Sequence, residues 1–321
     1  MILQMDWNLN LREIEYIVTI AAEGNITRAA QKLFIAQPSL SQAVKKIEQQ
    51  IGAKLFIRVK NKIKLTYEGE RFVEAGIKCA KIFRDLENEI NDIANLNGGR
   101  IVVGVPFLLG SFIFPQLDLC YRSRFPGVKI QLLEGTSREL ESMILNGLVD
   151  LAILPLPIRD PNVEYRTIFT SRMVVQVPNG HRLNQCCYEK PGKTERFRYI
   201  DIRIADGESF LLGQEGQRIR QVSELIFQKA HIKPQIAFTS KSISTIQRIS
   251  ATGMGLAIMP EHYIDQLTPI QNVNYYYLEE EYDYQWTIVV AYYKGGYLSS
   301  AVQEFLHVLD EVFGENRSPS V

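Results

Sequence analysis

Four cysteines and four histidines are all that 321 residues offer for metal ligation or thiol chemistry. The cysteines (Cys79, Cys120, Cys186, Cys187) form no C-x-x-C pair, and vicinal Cys186 and Cys187 cannot readily bridge within one strand or helix. His181, His231, His262 and His307 stand singly, so neither a zinc site nor a Cys/His nucleophile pair is suggested. A Gly-rich phosphate loop, H-E-x-x-H and G-x-S-x-G are missing too, which speaks against an enzyme and leaves no cofactor or metal to expect. The start, MILQMDWNLN, has neither the basic nor the apolar region of a signal peptide. The longest uncharged apolar stretch, Ile101 to Leu117, is broken by Pro106, Gly110 and Pro115 and falls short of a membrane span. These absences point to a cytoplasmic protein with reduced thiols and no membrane partner. Net charge is also lacking, since 36 Lys plus Arg balance 36 Asp plus Glu. Taken whole, that argues against binding nucleic acid through an overall basic field.

What is present is a core-forming composition, 46% hydrophobic and 22% charged, long enough for about two domains. Disorder is excluded. The balance of charge does not hold region by region. Residues 1–66 carry ten basic and five acidic side chains, a net +5, and the other 255 residues are therefore −5. A nucleic-acid-binding head on an acidic body has this asymmetry, although a solvated basic face gives the same count.

Periodicity sharpens the reading. Asn10 followed by Glu13 is a capping-box pattern, after which Leu11, Ile14, Val18 and Ala21 recur at helical spacing until Gly24. A second helix begins near Thr27, with the small pair Ala29-Ala30 offering a close-packing face. After a turn at Phe34–Ala36, Pro38 suits the first position of a third helix. There Leu40, Val44, Ile47 and Ile51 fall within about 60° of one another and mark the buried side. Opposite lie Pro38, Gln42, Lys45 and Gln49, flanked by Ser41 and Lys46, with no acid until Glu48. Gln can pair with adenine, Lys with guanine or phosphate, Ser with base or backbone, so this face suits a major groove. Any amphipathic helix has a polar face, and the next segment adds the discriminating feature. From Lys54 to Thr66 basic and apolar residues alternate around a turn at Asn61, as a two-stranded wing gripping phosphates would.

Asn10 to Gly69 resembles the winged helix-turn-helix of LysR-type transcriptional regulators. The resemblance is carried by Ala29-Ala30-x-x-Leu33, Ala36-Gln-Pro-Ser-Leu-Ser41, Ile47-Glu48, Gly52-x-x-Leu55-Phe56-x-Arg58 and Leu65-Thr66-x-x-Gly69. It implies that Gln37, Pro38, Ser39, Ser41, Gln42 and Lys45 lie at the DNA and that Arg58 sits in the wing. Thr27, Arg28, Lys46, Lys60 and Lys62 complete the candidate DNA-binding set.

Beyond the head, Phe72, Gly76, Cys79, Phe83, Leu86, Ile90 and Ile93 follow 4-3 spacing for three heptads. Such a seam is better buried against a second copy than against a core, so a homodimer through this helix is expected. Two recognition helices would then read two half-sites of double-stranded DNA. Asn95 to Gly99 reads as a linker. Ile101–Val105, a helix ending near Phe125, the alternating Val128, Ile130 and Leu132, a capping box at Thr136–Glu139, and Val149–Ile153 spell strand-helix-strand-helix-strand. The order recurs at Phe210–Leu212, Arg218–Ala230, Ile236–Phe238, a helix from Ser242, and Leu256–Ile258. The expected fold is therefore α/β: a winged helix-turn-helix over 9–67, a linker and dimerisation helix over 68–97, and a two-lobed body over 98–321. Lobe I is expected at about 98–168 and 272–312, and lobe II at about 169–271.

The body is similar to the LysR-type effector domain, itself like periplasmic solute-binding proteins, through Phe125-Pro, Glu134-Gly-Thr136, Gly147-x-x-Asp150-Leu-Ala and Gly253-x-Gly255-x-Ala-x-x-Pro260. That likeness implies a small-molecule effector, a tetramer beyond the dimer, and RNA polymerase as a partner. It places Phe107, Leu108 and Ser111 in a loop after the first strand, with Thr136, Ser137, Gln214, Arg218, Thr239 and Ser240, around an inter-lobe cleft. Helix-start N–H groups at Thr136 and Ser137 suit an anion, and Arg218 offers either a carboxylate fork or a surface salt bridge. Leu108 stands where the family often has Ser or Thr, which favours a more apolar effector or a shifted contact to Ser111.

Overall fold

The computed structural model describes residues 9–59, 62–93, 99–192, 194–266 and 270–314. The head opens with α1 (Leu11–Glu23), whose N-terminus is closed by the Asn10/Glu13 capping box and whose end is the left-handed Gly24. Then comes α2 (Ile26–Lys32), capped by the Asn25 side chain, and α3 (Gln37–Ile51), in which Pro38 is the second helical residue rather than the first. The wing is the antiparallel pair β1 (Phe56–Val59) and β2 (Lys62–Leu65), with Phe56 opposite Leu65 and Val59 opposite Lys62. Lys60 and the expected turn residue Asn61 lie outside the described residues.

Ile17, Ile20, Ala29, Ala30, Leu40, Val44, Ile47 and Leu55 make the core of the head. The stripe expected to bury α1 is thus displaced, because Ile17 and Ile20 face the core. Ile14 and Val18 face the long helix α4 (Tyr67–Ile93), and a Cβ on Gly76 would stand 2.7 Å from Ile14 Cγ2. The Leu65-Thr66-x-x-Gly69 motif joins wing to α4: Thr66 Oγ1 donates to the Lys54 carbonyl at 2.6 Å and accepts the Gly69 N–H at 2.9 Å. A Cβ at Gly69 would collide with the Leu55 carbonyl at 2.1 Å.

The heptad seam is consequently divided. Phe72 packs against the head core and Gly76 against α1, while Phe83, Leu86 and Ile90, with Ile82, remain exposed. The Ile93 side chain lies outside the described residues. Farther along, α4 leans on the body. The Lys81 chain covers Gly147, and Asp92 accepts the Tyr297 hydroxyl at 2.6 Å and the Ser300 N–H at 2.8 Å.

Lobe I begins with β3 (Gly99–Val105), α5 (Phe107–Arg124), β4 (Val128–Glu134), α6 (Ser137–Leu145), β5 (Leu151–Pro155) and β6 (Val163–Ser171). Of the linker expected at 95–99, only Gly99 is described, and it opens β3. Lobe II holds β7 (Met173–Pro178), β8 (Arg198–Ile200), β9 (Ser209–Gly213), α7 (Arg218–Lys229), β10 (Gln235–Ser240), α8 (Ile243–Ser250), β11 (Leu256–Pro260), α9 (His262–Gln266) and β12 (Val273–Leu278). The chain returns to lobe I with β13 (Trp286–Tyr293) and α10 (Ser300–Phe313). Sheet orders are β4-β3-β5-β13-β6 and β10-β9-β11-β7-β12-β8. Each lobe has a parallel core of three strands; in lobe I antiparallel pairings add β13 and β6, and in lobe II antiparallel pairings add β7 and β12, with β8 parallel to β12 at the edge. β12 pairs with β7 and β8, so the return crossover falls after Leu278 and not at the expected 272. Asp150 Oδ2 accepts the Val102 N–H at 2.7 Å, which gives the Gly147-x-x-Asp150 motif its physical purpose of tying the end of α6 to β3.

Two expectations fail locally. Pro106 to Ser111 is not a loop: Pro106 is the N-cap and Phe107–Ser111 the first turns of α5, with Ser111 Oγ donating to the Leu108 carbonyl. The apolar alternation of β4 breaks at Leu132, which is 39% exposed because β4 is an edge strand.

Candidate nucleic-acid interface and effector cleft

The head leaves most of the expected DNA-binding residues exposed. Gln37, Pro38, Ser39, Gln42 and Lys45 of α3 are exposed and Ser41 is half-buried, with Gln37 Nε2 donating to Ser41 Oγ at 2.8 Å. Lys45 and Arg58 form no ion pair among the described residues, which leaves both charges free for phosphate or base edges. Others are engaged inside the head. Lys46 stands 3.5 Å from Glu13, and Arg28 Nη2 donates to the Glu23 carbonyl at 2.5 Å. Thr27 and Arg28 are exposed at the start of α2, their N–H groups taken by Asn25. Lys62 belongs to β2; its side chain and Lys60 lie outside the described residues.

Glu48, the one acid near this face, is withdrawn from it. Its side chain is 7% exposed; Oε1 accepts the Leu55 N–H at 2.9 Å and the Phe56 N–H at 3.4 Å, and Oε2 pairs with Lys54 at 2.7 Å. The carboxylate therefore joins α3 to the wing rather than repelling phosphate. In the sequence this residue is marked by helical spacing at the edge of the buried stripe and by the Ile47-Glu48 match to the family pattern.

In lobe I Thr136 caps α6 and Ser137 opens it; in lobe II Gln214 follows β9 and Arg218 opens α7, with Thr239 and Ser240 ending β10. The α6 N-terminus already holds a carboxylate. Glu139 Oε2 accepts from Thr136 N at 2.7 Å and Thr136 Oγ1 at 2.9 Å, and those bonds hold its pKa below the ordinary carboxylate range. Arg218 reaches across the lobes to Glu141 at 2.9 Å, an ion pair that is largely buried rather than on the surface, its side chain being only 9% exposed. Gln214 N–H donates to the Gln217 side chain, and Ser240 Oγ accepts the Ser242 N–H. Phe107 is exposed and Leu108 half-buried at the head of α5.

A third group at the lobe junction has no signal in the sequence. His262 lies among Phe112 and Phe169 of lobe I, with ring centroids 6.3 and 5.3 Å away, and neither ring nitrogen has a hydrogen-bond partner among the described residues. Burial pushes its pKa down to about 3. Two cavities, of about 660 and 260 Å³, open among the described residues. The larger lies between α4 and lobe I and is lined by Glu74, Lys78, Arg138, Arg159 and others. Of the expected effector residues, only Arg218 lines either one.

A winged helix-turn-helix with a cationic, glutamine-bearing recognition face, joined by a long helix to two α/β lobes, defines a DNA-binding regulator that senses a ligand. Residues 11–70 match the bacterial regulatory helix-turn-helix protein of the lysR family, and residues 94–314 match the LysR substrate binding domain. The HTH-type transcriptional regulator YcgK of Bacillus subtilis is 29% identical over 313 residues, 94% of each chain. The HTH-type transcriptional activator CmpR of Synechocystis is 25% identical, covering 98% of each. In fold the chain is similar to a full-length OxyR variant from Pseudomonas aeruginosa, with a TM-score of 0.70 at 23% identity over 97% of this chain and 99% of that one. It is similar also to full-length CbnR complexed with its target DNA, with a TM-score of 0.65 at 18% identity over 95% of this chain and all of the other. The chain belongs to the LysR family of transcriptional regulators. It is a sequence-specific DNA-binding regulator with a small-molecule effector domain.

Proposed function

We propose that the protein works as a cytoplasmic homodimer, assembling further into a tetramer, that reads a promoter or operator through α3 and the wing. A small effector, anionic in class, held between the lobes resets how the paired heads meet their DNA; RNA polymerase is the further partner, and the body carries out no catalysis. The observation that carries this reading is the exposed Gln42 and Lys45 face of α3, from which Glu48 is withdrawn and beside which Arg58 of the wing is exposed. The exposed Ile82, Phe83, Leu86 and Ile90 on α4 support self-association through that helix. The proposed parts are the head over 9–67, the linker helix over 68–97 and the body from 98.

An effector can reset the heads only through a differential affinity for two arrangements of the lobes. Thr136 and Ser137 on one side, Gln214, Arg218, Thr239 and Ser240 on the other, and Phe107, Leu108 and Ser111 at the head of α5 are the proposed contacts. Footprinting on the DNA beside the gene tests the reading. Lys45→Ala or Gln42→Ala should weaken operator binding by about tenfold or more with effector binding intact, from the 1–3 kcal/mol of a base contact. Thr136→Val should do the reverse. Absence of salt-sensitive, sequence-specific binding under every effector condition would overturn the proposal, and a specific-to-nonspecific ratio near one would make the protein a DNA coat instead.

A further inference from the structure

In the turn between α2 and α3 a residue sits where neither backbone nor solvent favours it. The helix α2 ends in a Schellman motif, the Phe34 N–H donating to the Gln31 carbonyl at 3.2 Å and the Ile35 N–H to the Ala30 carbonyl at 3.0 Å. Phe34 thus takes the left-handed position just past the C-cap Leu33, with φ of 54°, where glycine is usual because a Cβ is disfavoured. Ile35 turns inward and packs against the core of the head. Phe34 is 95% exposed and joins no core cluster among the described residues. The single chain gains no packing from this ring and bears both a strained backbone and a bare aromatic surface, so its use lies in a partner. Its surroundings say which. Ala36, Gln37, Pro38 and Ser39 carry the exposed surface on into α3, and no acid occurs from Gly24 to Ile47. The flanking acids in the sequence, Glu23 and Glu48, are paired with Lys32 and Lys54. Such a surface fits a polyanion, and the apolar group that a major groove displays is the 5-methyl of thymine.

We propose that Phe34 is a specificity-determining residue for DNA binding, its ring packing on a thymine methyl at the edge of the half-site that α3 reads. The inference rests on α3 being the recognition helix, and it extends the reading surface beyond the polar set from Gln37 to Lys45. A contact of this kind is uncharged. It adds discrimination between base pairs without adding counterion release.

The test uses the full-length protein, the duplex that its footprint defines on the DNA beside its gene, and an unrelated duplex. Phe34→Gly and Phe34→Asn both suit a left-handed backbone, so the melting temperature should not fall. Operator affinity should drop by at least about fourfold, the worth of one buried methyl group. Affinity for the unrelated duplex and the slope of binding against salt should stay as in the parent, whereas Lys45→Ala should flatten that slope by about one. Replacing one thymine of the half-site by deoxyuridine should weaken the parent to a like extent and cost Phe34→Gly nothing further. The proposal is overturned if Phe34→Gly binds the operator as the parent does. It is overturned equally if that variant loses as much on the unrelated duplex and no deoxyuridine matters, which puts the ring on the sugar-phosphate backbone. A changed sedimentation of the DNA-free variant overturns it too, by making Phe34 a contact between chains. If Lys45→Ala and Gln42→Ala also bind as the parent, α3 is not the reading helix; if they weaken binding and Phe34→Gly does not, only the role of Phe34 is wrong.

Discussion

A single side chain can carry a pH dependence, and His262, half-buried with both ring nitrogens shut off from water, is the group placed to do so. Its folded-state pKa of about 3 lies below the ordinary 6.5 because burial among aromatic rings disfavours the cation. Below the ordinary value the unfolded chain takes up a proton that the folded chain refuses. Stability from this residue is therefore present at neutral pH and falls as acid is added, by about 1.4 kcal/mol per pH unit between the two values. His262→Phe, which keeps an aromatic ring in the box, should flatten that slope. Urea unfolding at about pH 7 and about pH 5 measures it, and an unchanged slope would show that other groups carry the acid sensitivity. Glu48 makes the complementary point. An acid beside a DNA-reading face looks like a liability until its two backbone N–H donors and Lys54 are seen to hold it at 7% exposure.

Among the elements, α4 has two jobs along its length, and its sequence disguises the change. The 4-3 spacing runs unbroken from Phe72 to Ile90, but Gly76 is spent on α1, where a side chain would press on Ile14. The exposed apolar stretch is Ile82 to Ile90, with Ile82 at 65% and Ile90 at 55% exposure. Leu86→Asp with Ile90→Asp should therefore convert dimer to monomer in sedimentation at micromolar concentration, since two charges would be buried unpaired in a seam. The head itself should keep its stability, because its support from α4 comes from Phe72, Val73 and Gly76. If the doubly substituted chain still sediments as a dimer, association runs through the body.

For the whole molecule, the zero net charge is a cancellation between a +5 head and a −5 body. Operator affinity should accordingly be steeply salt-dependent, falling by about three orders of magnitude from about 50 to 200 mM salt if the dimer neutralises about six phosphates. A gel-shift titration gives the slope, and a flat one would mean that the basic groups do not reach the backbone. The same segregation was legible in the sequence, as were the capping boxes at Asn10 and Thr136, the exposed polar face of α3, the wing and the two α/β halves, because caps and periodicities are local and each residue's neighbours in the chain dictate them. Other assignments depended on which elements pack together. Ile14 and Val18 face α4 rather than the core, β12 joins the lobe II sheet, and Ser111 sits in a helix rather than a loop. Its position at a helix start offers Arg218 both a ligand fork and an ion pair. Only the approach of α6 from the other lobe pairs it with Glu141, leaves its Nε bare and sets Arg159 beside it, since ion pairs between residues 77 positions apart are made by tertiary packing and not by spacing.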